Sequence, residues 1–343
     1  MTNARNINTL MARLEAIADT IPEKRAEKAA AAIRKAEIYN EAFWDTMHTG
    51  MPHNALKEGS DGAGGYLVPD TYEDKLVKAL ANKNVLRQIS NTIKTTHRTH
   101  ITVAGDMDSA DWVPENTVMK FVDAAFGEVI LDAYKLATSI RASDEMLEDG
   151  GIDLEKFILD MFSDRIGKAE EKAFIRGDGN GKPLGLIYQA PVGAVSEREG
   201  DITLDDMIDL EYSLSSEYRK NAVWLMSEDA YHKLRRINHY RGHAVWLDNL
   251  EEGEPVHLFG YRIYVCKAMD DVVPGGIPVM FGDFRHFWIG DRGKRVIKRL
   301  VERYADRGQV AFITTERVDA KLVLPEAVKM LQISGTPASE TEE

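Results

Sequence analysis

The chain has 343 residues, 44% of them hydrophobic, which is enough apolar material for a substantial buried core and sets aside an intrinsically disordered protein. Its formal charge of −13 makes the surface as a whole repel nucleic acid and acidic membranes, so any contact with DNA has to be local. Cys266 stands alone, which excludes an internal disulfide, a thiolate zinc cluster and a CxxC redox pair. No run approaches the ~20 apolar residues of a membrane helix and the opening MTNARNINTLMARLEAIADT is not a signal peptide, so a soluble intracellular product with no membrane partner is expected.

In chain order, Ile7, Leu10, Leu14, Ile17 and Ile21 alternate spacings of three and four, a heptad stripe that wants a partner helix. Pro22 suits a first helical turn, and residues 23–47 are rich in helix formers up to the aromatic pair Phe43 and Trp44. The stretch HTGMPHNALKEGSDGAGG (48–65) then brings five glycines and a proline and reads as a flexible linker, which makes residues 1–47 a detachable helical arm. After GGYLVP a helix is predicted from Asp70 as cap, with Glu73 closing a capping box. The β-rich segments THITVAG and GEVILDAYKLATSIRAS flank an irregular GDMDSADWVPENTVMK, the pattern of a long two-stranded excursion. Such a hairpin is marginal alone and needs something to lie against.

A helix of about 23 residues, roughly 35 Å long, is predicted after Asp153 as cap. Leu154, Phe157, Ile158, Met161, Phe162, Ile166, Ala169 and Ala173 share its apolar face. Gly177 is expected to end it as a left-handed residue. Beyond residue 200, Thr203 and Asp206 fit a capping box, AVWLMS a buried strand and SEDAYHKLRRINH an amphipathic helix. LFGYRIYVCKAM, IPVMFGDFRHFWIG, VIKRLVERY and QVAFITTERVDAKLVL read as strands, and SGTPASETEE as a disordered tail. The composition is α+β without a βαβ rhythm.

The segment GDGNGKP (177–183) is the first test for chemistry. In a phosphate-binding P-loop, Gly181-Lys182 would be followed by Ser or Thr and the loop would follow a strand, whereas here Pro183 follows and a helix precedes. A calcium loop needs further acidic ligands after Asp178, and GKPLGLIYQA has none. What accounts for Gly177, Asp178, Gly179, Gly181 and Pro183 together is a helix stop and a tight turn. His239 and His243 have helical metal-ligand spacing, but Gly242 weakens a helix and no HExxH glutamate is present. Ser213, Ser215 and Ser216 lack a glycine elbow, and GDRGKRVIKRLVERY reads as interstrand ion pairing ahead of nucleic-acid binding. No catalytic group, metal or cofactor site is singled out.

The motifs GGYLVP (64–69), WVPE (112–115), SDEMLED (143–149), AFIRGDGNGKPLGLI (173–187), LFGYRIYV (258–265), MFGDFRHFWIGDR (280–292) and TERVDAKLVLPEAVKML recur in order over residues 64–331. Together they resemble the major capsid proteins of tailed bacteriophages, the Hong Kong 97 fold. The resemblance implies an α+β fold with an N-terminal arm, an extended β-hairpin loop, a peripheral domain with a long spine helix, and an axial domain. It divides the chain into a scaffold-like arm (1–47), linker and N-arm (48–69), a first peripheral segment (70–93), the extended loop (94–140) and the peripheral domain (141–199, spine 153–176). The axial domain (200–290), return strands (291–333) and tail (334–343) follow.

The function implied is self-assembly into hexamers and pentamers of an icosahedral head enclosing double-stranded DNA without sequence-specific binding. Portal protein and prohead protease are the partners implied during assembly, in the host cytoplasm, before the virion. Trp112 and Phe121 are candidate intersubunit contacts, since large apolar side chains in a polar loop suit either a partner or a local fold-back, and Lys120 of the same loop is a third candidate. Some family members link a lysine of the extended loop to an asparagine with a glutamate assisting. Lys120 and Glu316 approximate the first and third positions, but the asparagine's region reads DRGQVAF, so no covalent link is expected. An encapsulin-like compartment is the alternative within the fold, and a hydrolase the alternative outside it.

Overall fold

The computed structural model describes residues 23–51, 53, 56, 60–61, 65–104, 126–148, 153–237, 239–240, 243–244 and 257–335. The heptad stripe at 7–21, most of the linker, Trp112, Lys120 and Phe121, and the tail beyond residue 335 lie outside the described residues. The chain divides into two compact units, one of Met1–Leu76, Ser139–Leu159 and Arg295–Thr314, the other of Val77–Thr138, Asp160–Lys294 and Thr315–Glu343.

In the first unit the arm helix runs Glu23–Thr49, two residues past the expected break. Ala42, Phe43, Thr46 and Met47 recur at helical spacing and are buried, Phe43 and Met47 completely. Tyr39 donates its hydroxyl to the Leu67 carbonyl at 2.8 Å, Thr71 donates to Asn40 Oδ1 at 3.2 Å, and the Trp44 ring lies 5.1 Å from that of Tyr72. The last three turns of the arm are therefore core, and the separable arm expected up to residue 47 does not extend to them. The next helix, Asp70–Lys83, starts at Asp70 itself, with the amides of Tyr72 and Glu73 donating to the Pro69 carbonyl. Glu73 is drawn into the interior, 3.7 Å from the Arg295 guanidinium. The strand Gly65–Leu67 pairs antiparallel with Ser60–Asp61 and with Val296–Leu300.

The second unit is built on a six-stranded sheet, in the order His257–Leu258, Tyr261–Val265, Val223–Met226, Val279–Gly282, Val328–Gln332 and Val192–Val195. Both its faces are covered, which is why Val223–Met226 is apolar at every position. Leu225, Met280 and Met330, in register, point into one core with Phe174 and Ile175 of the long helix. Trp224, Phe281, Val279 and Leu331 point into the other, under the helices Leu204–Ser213 and Glu228–Arg235. Thr203 and Asp206 form the expected capping box, and Ser227 caps the second helix through the Ala230 amide. The sheet is mixed: Tyr261–Val265 runs parallel to Val223–Met226 and Val328–Gln332 runs parallel to Val192–Val195, while the other neighbours are antiparallel. The two parallel pairs share no strand, so they form no repeated βαβ series and leave no such rhythm in the sequence.

The expected hairpin is present as Thr99–Ala104 paired antiparallel with Phe126–Leu131, from Thr99↔Leu131 to Ala104↔Phe126. IPVMFGDFRHFWIG is two strands, Val279–Gly282 and Phe287–Arg292, because Asp283 caps an intervening 3-10 turn through the Arg285 amide. His239 and His243 lie on a short hairpin and not a helix, with His243 opposite Tyr240.

The long helix runs Leu154–Arg176, and Asp153 Oδ1 accepts from the Lys156 amide as its cap. Ile158, Phe162 and Ile166 are buried as expected. Beyond Ile166 the buried stripe passes through Glu170, Glu171, Phe174 and Ile175, leaving Ala169 exposed and Ala173 half-buried.

Candidate functional site

The turn after the long helix is closed by its own backbone. The Gly177 amide donates to the Ala173 carbonyl and the Gly185 amide to the Gly177 carbonyl, both at 2.8 Å. Gly177 is not left-handed, contrary to the expectation for a helix terminator; Gly179 (φ 78°) and Gly181 (φ 70°) are. Close approach is what requires glycine at 177, since a Cβ there would stand 2.0 Å from the Pro183 carbonyl oxygen and 2.5 Å from that of Ala173. Asp178 Oδ1 accepts from the Asn180 amide at 2.9 Å, a local turn that an aspartate stabilises. That amide, then Lys182 at 3.3 Å, hold the Asp178 carboxyl below its ordinary value. Lys182 and Asp178 face each other, so neither is set up for a phosphate or a cation. Tyr134 donates its hydroxyl to the Gly179 carbonyl at 3.2 Å, and the pocket beside the turn, lined by Ala173, Phe174, Lys182 and Pro183, holds about 60 Å³. Small-molecule sites need about 300 Å³ or more.

Behind the turn lies a cluster the sequence reading missed. Arg87 is buried and forks onto two carboxylates, with Nε 2.7 Å from Glu170 Oε2 and Nη2 2.8 Å from Asp291 Oδ1. Burial alone would lower the guanidinium, but Glu170 and Asp291 together hold it well above its ordinary value. Asn84 positions the group, because its Oδ1 accepts from the Leu86 and Arg87 amides as the cap of Val85–Ile89. The signal was available: Glu170 stands four residues after Ile166 and four before Phe174, on the apolar stripe itself. Next to it, burial pushes the Glu171 carboxyl up although the Val85 amide donates to it.

At the base of the hairpin, Asp132 pairs with Arg98 at 2.6 Å and lies 3.7 Å from Arg292, while its amide donates to the buried Asp319 at 2.8 Å. These bonds tie the two ends of the excursion to each other through Arg98 and Asp132, and the Asp132 end to the strand Gln309–Leu322 through Asp319. They are structural ties, each carboxylate already ion-paired or hydrogen-bonded.

Among the described residues no three metal-ligating side chains converge, and no helix is long and apolar enough to cross a membrane. Cys266 is buried and its thiol is pushed up to about 12, by burial first and by Glu171 second, so it is a packed side chain and not a nucleophile. Ser213 donates to the Leu210 carbonyl and Ser215 precedes a short helix, and among the described residues no histidine or carboxylate is hydrogen-bonded to either.

A mixed sheet buried on both faces, a tied two-stranded excursion and a long helix ending in a self-satisfied turn define an α+β building block. Residues 64–333 match the phage capsid family, and the chain belongs to that family. The major capsid protein of Klebsiella oxytoca phage phiKO2 is 26% identical over 249 residues, 68% of this chain and 57% of the relative. That of Escherichia phage T5 is 25% identical over 254 residues, 69% of this chain and 54% of the relative. The chain thus spans about half the length of the curated relatives it matches. Among solved structures, the capsid of a native GTA particle, computed with C5 symmetry, has a TM-score of 0.63 at 26% identity, covering 73% of this chain and 90% of that one. A chain from Gordonia phage Cozz has a TM-score of 0.56 at 12% identity, a likeness of fold. The fold is the Hong Kong 97-like capsid fold read from the sequence.

Proposed function

We propose that the chain is a major capsid protein that self-assembles into the hexamers and pentamers of a closed icosahedral head. The observation that carries this reading is the family match over residues 64–333, joined to a structural likeness that takes in 90% of a capsid chain of a GTA particle. In this assignment the long helix is the spine of the peripheral domain and the six-stranded sheet the core of the axial domain. The hairpin around residues 94–140 is the extended loop that lies on a neighbour, with Trp112, Lys120 and Phe121 as its contacts. The turn Gly177–Pro183 redirects the chain between the two domains. DNA is enclosed without sequence-specific contact, consistent with a charge of −13 per copy. Portal protein and a prohead protease act with it during assembly in the host cytoplasm, and the product is part of the virion.

Electron microscopy of the purified full chain tests the proposal. Closed shells are expected, and monodisperse monomers under assembly conditions would sink it. DNA inside particles purified from infected or induced cells supports the head reading, whereas a packaged protein would replace it with a cargo compartment.

A further inference from the structure

The six-stranded sheet of the second unit has two open ends, and they differ in a complementary way. At one end the strands His257–Leu258 and Tyr261–Val265 are joined by the two residues Phe259-Gly260, with φ of 52° and 86°. Both central residues of such a turn need positive φ, which Asn-Gly supplies at little cost and a phenylalanine does not. Phe259 is the only non-glycine residue with positive φ among the described residues, and its ring is 37% exposed. A non-glycine residue held at such a φ with more than a third of its surface exposed is a candidate for an external contact. Beside it, His257 and Arg262 lie opposite each other across the hairpin, both exposed, with no carboxylate in ion-pair range among the described residues.

The other end is the edge strand Val192–Val195. Val192 is 46% and Val195 56% exposed, on a sheet edge that has no partner strand among the described residues. An apolar edge of this kind is a template for association unless something covers it. It is followed at once by Glu197 and Glu199, both exposed, while the intervening Arg198 is turned to Asp201 at 3.9 Å. One end therefore offers an aromatic knob beside a histidine and an arginine, the arginine lying over the Tyr264 ring, and the other an apolar edge with two carboxylates.

We propose that the two ends join neighbouring copies of this chain head to tail, Phe259 of one copy seated against Val192 and Val195 of the next, with His257 and Arg262 facing Glu197 and Glu199. A contact between two different patches of the same chain is heterologous, and a rotation that closes it produces a ring. This rests on the shell reading above, since it identifies a surface by which such rings form.

Phe259→Asn relieves the turn, so the full-length variant is expected to melt no lower than the wild type while its yield of shells falls at least tenfold. In the doubly substituted chain Phe259→Cys, Val195→Cys, oxidised after assembly, a ladder of disulfide-linked oligomers is expected on non-reducing gels. The buried Cys266 contributes no background. Wild-type shells together with normal Phe259→Asn shells and no ladder would overturn the head-to-tail contact and leave the shell reading standing. A disulfide-linked dimer from Phe259→Cys alone would overturn it too, by showing a symmetric contact. If the wild type itself makes no shells, the shell reading fails.

Discussion

At Gly177 the obstacle to a side chain is backbone on both sides, so alanine has to displace the Pro183 or the Ala173 carbonyl to fit. At Gly181 a Cβ meets nothing within 4 Å, and only the positive φ resists. Gly177→Ala is therefore expected to cost roughly 2–3 kcal/mol, and Gly181→Ala about 1 kcal/mol, measured as shifts in urea midpoint. Equal costs would contradict the distinction. Glu171 gives a pH test. Its folded-state value is raised by burial, so its contribution is fully present below the unfolded value of about 4.3 and is lost as pH rises through the raised folded value. Glu171→Gln keeps an oxygen for the Val85 amide and cannot ionise. The stability of the variant relative to wild type should therefore increase between pH 4 and pH 7.5, and a flat difference would refute the assignment. The sequence placed the turn but misread why Gly177 is glycine, because close approach between distant carbonyls leaves no local pattern. Arg87 was invisible for the same reason: its partners Glu170 and Asp291 are 83 and 204 residues away.

Elements were legible where one periodicity governs them. The long helix, its Asp153 cap, the Thr203–Asp206 capping box and the antiparallel hairpin all follow from local spacing and are found where expected. The arm helix was legible as a helix but not as core, since alanine-rich helix formers hide the stripe of Ala42, Phe43, Thr46 and Met47 on one face. Its fate in a truncation is now specific. Removal of residues 1–36 spares Tyr39, Phe43 and Met47 and should leave the melting temperature within about 2 °C of the full chain. Phe43→Ala alone should cost about 3–5 kcal/mol, and removal of residues 1–50 more, read as lost cooperativity in thermal melts and as rapid proteolysis of the first unit. If the chain lacking residues 1–50 melted like the full chain, the buried helix would be dispensable and this account of the core wrong.

On the scale of the whole molecule, cohesion between copies in the proposed shell would have to overcome the repulsion of many chains at −13 each, so its contacts would be apolar or locally paired. Covalent linking is the other way to hold such a shell, and the chain lacks a part it would need. In the stretch DRGQVAF no asparagine is present: Gly308 is left-handed at φ 58° after the 3-10 turn Glu302–Arg307, and the strand begins at Gln309. Glu316, the candidate assisting carboxylate, is 5% exposed within that strand. Assembled shells boiled in detergent with reductant should therefore run as one band at the 38.5 kDa of the single chain. A ladder of higher bands surviving that treatment would mean that another side chain has taken the asparagine's place and that the cohesion of the shell is chemical.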